Sequence, residues 1–151
     1  MMSDEQERCR FAVRTSDGEV TGVALRHLDP DDADAWYFFI LAEHPELARA
    51  IEDEQEEIEI TGQIVSPTLH LTMHEVVANQ LWEDDPPQTW QTAKRLLNLG
   101  YERHEVLHML GSVVSAAVWQ AINEGEAFDP SGFVADLERL PESWEQLRGG
   151  S

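Results

Sequence analysis

Residues 101–124 read YERHEVLHMLGSVVSAAVWQAINE, and this stretch decides the fold class. Val106, Leu107, Leu110, Val113, Val114, Ala117, Val118 and Ala121 recur at steps of three and four residues. That period lines one face of an α-helix. No proline interrupts the run, and Asn123-Glu124-Gly125 stands at its end, where glycine commonly closes a helix. The spacing predicts one long helix over 102–123.

Working outward, Ser66-Pro67 offers a hydroxyl cap followed by the proline tolerated at a first helical position. Leu69, Met73, Val76, Val77 and Leu81 then keep helical spacing until Asp84-Asp85-Pro86-Pro87, which predicts a helix over 67–83. Trp90, Ala93, Leu96 and Leu97, followed by Gly100, predict another over 87–99, and a last one spans about Gly132–Leu140. Upstream, Asp29-Pro30-Asp31-Asp32 opens a helix that carries Trp36, Phe39 and Ile40 inward and ends near His44-Pro45. A short helix around Leu47–Ile51 runs into the acidic segment Glu52–Glu59, and Ile58, Ile60 and Ile64 suggest a short strand. Phe11–Thr15 and Val20–Leu25 lean to β and flank Ser16-Asp17-Gly18, which reads as a hairpin turn. The expected architecture is mainly α, a helical bundle with a small N-terminal β-hairpin. Its core is an antiparallel pair, 67–83 and 102–123, with 87–99 between them. Residues 1–9 are expected as a flexible N-terminus, 10–141 as one mostly helical domain and 142–151 as a tail.

Thirty acidic against ten basic residues give a formal charge of −20 in 151 residues. Such a surface repels phosphate backbones and anionic headgroups, which argues against nucleic acid and membranes as partners. The helix–glycine–helix segment 96–111 does not overturn this, because only Lys94, Arg95 and Arg103 are basic there. The partners left to expect are a basic protein and a second copy of the chain. A lone cysteine, Cys9, excludes an internal disulfide framework. The start has no basic region followed by an apolar run, and no apolar stretch approaches the roughly 20 residues of a membrane span. The expected compartment is the cytoplasm.

Six histidines occur, and four form i, i+4 pairs, His70 with His74 and His104 with His108. Random placement gives about 0.2 such pairs, so two are not accidental. Residues four apart sit one turn apart on one helix face, and both imidazoles of a pair can reach one ion. Two such pairs on adjacent helices suit a tetrahedral divalent metal, zinc ahead of iron. The expected metal residues are His70, His74, His104 and His108, with Glu75 and Glu105 as orienting groups or further ligands. His44, before Pro45 at a helix end, reads as structural.

Two other functions compete with plain metal binding. His104-Glu105-Val106-Leu107-His108 matches the H-E-x-x-H pattern of zinc hydrolases and peptidases, in which Glu105 is the general base. A third ligand fails to follow, since Val114 stands where the longer pattern needs histidine, and the helix runs on through Glu124. A di-iron reading from Glu105-x-x-His108 lacks its second half, because Leu71 precedes His74 by three. The other competitor is a metal-free acidic domain that docks a basic protein.

Pro67-x-Leu69-His70-x-x-x-His74, Gln80-Leu81, the Pro86-Pro87 break and His104-Glu105-x-x-His108 stand together between about Ser66 and Trp119. In these residues, and in His44-Pro45-Glu46 upstream, the chain resembles the bacterial family called domain of unknown function 1841. The resemblance implies that the four paired histidines act together, and it implies no activity. Ala78 and Asn79 stand where it would place acidic residues, which weakens a carboxylate-bridged site.

Overall fold

The computed structural model describes residues 2–60, 63–125, 127 and 129–148. The chain divides into two compact units, 1–79 and 80–151.

The first unit opens with α1 (Asp4–Ala12), where the sequence suggested a flexible end. Ser3 and Gln6 cap it reciprocally: the Gln6 backbone N–H donates to Ser3 Oγ at 3.1 Å, and the Ser3 N–H to Gln6 Oε1 at 3.0 Å. Asp4, Glu5 and Glu7 favour the positive end of the helix dipole. The antiparallel hairpin β1 (Glu19–Val20) and β2 (Val23–Ala24) follows. Its turn is Thr21-Gly22, not Ser16-Asp17-Gly18, because both central residues sit at positive φ, 50° and 81°. Positive φ at both positions matches the right-handed twist of the flanking strands. Phe11 lies in α1 rather than in a strand.

α2 (Ala33–Ala42) is capped by Asp32, whose carboxylate accepts the Asp34 N–H at 3.0 Å. It buries Ala35, Trp36, Phe39, Ile40 and Leu41, and packs on β1 and on α3 (Pro45–Glu52). β3 (Ile58–Ile60) and β4 (Gln63–Val65) form a second hairpin whose turn residues lie outside those described. α4 (Pro67–Glu83) starts on Ser66, with the Leu69 N–H 3.3 Å from Ser66 Oγ. The apolar set on α4 is turned from the one its sequence suggested. Leu69 is 70% exposed, and the buried stripe is Leu71, His74, Val77, Ala78 and Leu81.

The second unit begins with the last turn of α4, followed by α5 (Pro87–Asn98), α6 (Arg103–Glu124), α7 (Pro130–Glu138) and α8 (Glu142–Arg148). α5, α6 and α7 pack on one another in pairs around Trp90, Ala93, Leu96, Val106, Leu110, Phe133 and Leu137. Thr89 Oγ1, fully buried, donates to Gln80 Oε1 at 3.1 Å and ties the end of α4 to the start of α5. Arg95 donates to the Leu137 carbonyl in the last turn of α7 and to the Leu140 carbonyl just past it. α8 occupies the segment expected as a tail. Gly125, at φ 65°, ends α6 in the left-handed conformation that glycine adopts without a Cβ penalty.

The chain is therefore mainly α, with a small antiparallel hairpin near its N-terminus. Contrary to the sequence reading, one helix among the described residues is long and apolar enough to cross a membrane: α6, 22 residues long, with a mean hydropathy of 1.3 over its most apolar 18 residues. A core helix of a soluble protein passes the same test, and 39% of that window is buried, in the first half of α6 between Val106 and Val114.

Candidate metal centre

His44 stands at the corner where α2 ends and Pro45 opens α3. Proline disfavours helical backbone in the residue before it, so the chain must turn there. The turn folds the His44 ring back over the end of α2, with Nδ1 2.7 Å from the Ile40 carbonyl oxygen. A carbonyl only accepts, so Nδ1 carries the proton, and a neutral ring holds its lone pair on Nε2. That Nε2 is buried, as is the residue at 4% exposure. A backbone carbonyl fixing one ring nitrogen while the other presents a lone pair is how proteins orient a metal-binding imidazole.

His70 and His74 reach the same place from α4. Their Nε2 atoms are 3.2 Å apart, and their ring centroids 4.9 Å. The His44 ring centroid lies 4.4 Å from that of His74 and 6.1 Å from that of His70. Each of the three residues offers a ring nitrogen, and these nitrogens lie within 4.8 Å of one another. Two nitrogens each about 2.05 Å from an ion, and separated as the His70 and His74 pair is, subtend about 103°, near the tetrahedral angle. One Nε2–H donating to the other Nε2 fits the same separation without an ion. The third imidazole, with its Nε2 lone pair fixed by the Ile40 bond, distinguishes this corner from a simple hydrogen-bonded pair. His74 is 4% exposed within the buried stripe of α4, where an apolar residue would pack more cheaply. A histidine cluster at this position could hold a metal ion.

Glu75 follows His74 on α4 and is half-buried, and burial raises its carboxyl above the ordinary value of 4.5. In the second unit, the His104 and His108 rings lie 4.4 Å apart. They differ in setting: His104 is exposed, while His108 is half-buried with its Nε2 buried. Glu105 Oε2 lies 3.4 Å from the Trp144 indole nitrogen, which donates to it. α6 continues unbroken for four turns beyond His108, so no ligand returns from the helix itself as a peptidase site of this pattern requires.

His44 is the site residue that sequence spacing missed. It belongs to no i, i+4 pair, and its proline neighbour suggested a helix-end cation. The proline was the usable signal, since it forces the corner that aims the ring.

Fold and site together define a class: an acidic, mainly helical chain with a partly buried histidine cluster that could hold a metal. The family model described as Domain of unknown function (DUF1841) matches residues 23–139, and the chain belongs to that family. The match covers both units, well beyond the 66–119 segment that carried the resemblance. No curated protein and no solved structure matches the chain.

Proposed function

We propose that this protein binds one divalent metal ion through His44, His70 and His74, with zinc as the metal. The observation that carries the reading is the inward set of imidazoles, one with its tautomer fixed by the Ile40 carbonyl and two with Nε2 atoms 3.2 Å apart. An all-imidazole donor set suits zinc and neighbouring borderline ions, and disfavours magnesium or calcium, which prefer oxygen. Three imidazoles leave one position of a tetrahedral shell to a water or a further ligand. The reading is therefore of a bound ion and assigns no hydrolytic step to it. His104 stays outside the ligand set, and Glu75 and Glu105 are not required by it.

Elemental analysis of untagged full-length protein tests this directly. One zinc per chain is expected in the wild type and in His104→Ala. Loss is expected in His44→Asn, His70→Ala and His74→Ala. Equal metal content across all of these variants refutes the site.

A further inference from the structure

We propose that the exposed half of α6 pairs with the same half of a second copy of this chain, as an antiparallel seam about a two-fold axis. Beyond Val114 the helix emerges from the packed part of its unit. Ser115 is exposed, Val118 is 48% exposed, Trp119 59% and Ile122 75%. These four residues fall at i, i+3, i+4 and i+7, one continuous stripe of the kind that a facing helix covers.

Charge selects the occupant. The chain carries −20, yet no Asp, Glu, Lys or Arg occurs between Glu105 and Glu124. A basic partner drawn by the acidic surface finds no carboxylate on this stripe to pair with. An anionic lipid surface would bring headgroup charge directly against the stripe of a chain that carries −20. A second copy brings an identical uncharged stripe, so two strongly acidic molecules meet here without opposing like charges.

The side-chain sizes also fit themselves. In an antiparallel pair whose axis passes between Val118 and Trp119, Val118 of each copy faces Trp119 of the other. Ile122 then faces Ser115, large against small, as an isologous interface requires. The adjoining exposed Ala116 lets the backbones approach. The three large side chains offer apolar area on the order of 350 Å² per copy, well under the roughly 800 Å² of a standard interface. The dimer is correspondingly a weak, reversible one.

Sedimentation equilibrium on the full-length protein over a concentration series reads this out. Monomer and dimer in exchange are expected, and Trp119→Glu should weaken the association at least tenfold with helical circular dichroism unchanged. As a second measurement, Ser115→Cys with Ile122→Cys in a Cys9→Ser background should oxidise to a covalent dimer. Either cysteine alone should do so far less. A wild type that stays monomeric throughout overturns the proposal, as does a dimer indifferent to Trp119→Glu. Flotation of a monomeric protein with phosphatidylcholine vesicles would overturn it in favour of a lipid surface.

Discussion

Replacing His44 by Asn separates its two roles. The Asn amide can still donate to the Ile40 carbonyl that His44 Nδ1 contacts at 2.7 Å, but it has no atom in the place of Nε2. The metal-free variant should therefore unfold within about 0.5–1.5 kcal/mol of the metal-free wild type, the net worth of one hydrogen bond. With zinc at a thousandfold excess over its dissociation constant, ligation stabilises the wild type by about 4 kcal/mol. In a chain of 151 residues each kcal/mol moves Tm by about 2–4 °C, so zinc should raise Tm by about 8–16 °C. Losing one ligand weakens binding by at least about a hundredfold, which removes about 2.7 kcal/mol at the same zinc concentration. The variant should then gain only about 3–6 °C. Differential scanning calorimetry with and without zinc measures both quantities, with His104→Ala as the control that keeps the full gain. Equal zinc-induced shifts in wild type and His44→Asn would refute the reasoning, because the Nε2 lone pair would then have no ion to meet.

Three further outcomes are expected. Leu81→Ala, at a site with 0% exposure, should cost about 2–5 kcal/mol in a denaturant titration, while Leu69→Ala, 70% exposed, should stay within about 0.5 kcal/mol. Arg95→Lys should lower stability by about 1–2 kcal/mol, since one ammonium cannot reproduce the fork that reaches the Leu137 and Leu140 carbonyls; an unchanged Tm would show that solvent screening cancels this cap. The Tyr101 phenol is held above its ordinary value of 10.0 first by its hydrogen bond to Glu145, then by burial and by the charges of Glu145, Glu105 and Glu142. A raised folded pKa means that this contribution is complete below 10.0 and fades as pH climbs through the raised value. Tyrosinate absorbance should titrate later in the wild type than in Glu145→Gln, and coincident curves would remove the Glu145 contact as the cause.

Helix existence was legible because proline and glycine punctuate this chain strongly. Pro67 and Pro87 stand at the observed first residues of α4 and α5, and Gly125 closes α6. Facing was less legible. Leu69 fits the helical period yet points to water, because the period fixes which residues share a face and not which face is covered. The same gap left the exposed half of α6 unforeseen: its apolar spacing runs to Ile122, but burial stops after Val114. The N-terminal elements went astray for local reasons. Ser3 and Gln6 hold the capping-box spacing, which outweighs the polar composition of residues 1–9. At the hairpin, two positive-φ residues decided the turn, and Gly22 was its only compositional mark.

The site followed the same division between pattern and placement. Spacing alone could pair His70 with His74 and His104 with His108, since each pair is a property of one helix. It could not rank the pairs, because rank depends on what covers the face. His74 lies in a buried stripe between Leu71 and Val77, whereas His104 is exposed at the first turn of α6. Nor could spacing bring in His44, whose role rests on a chain reversal at Pro45 and a bond to a carbonyl four residues earlier. A helix-end histidine bonded to a main-chain carbonyl and a metal-binding histidine are thus one geometry with two uses. The Ile40 bond serves the helix end in either case, and only the approach of the His70 and His74 rings turns it toward metal chemistry.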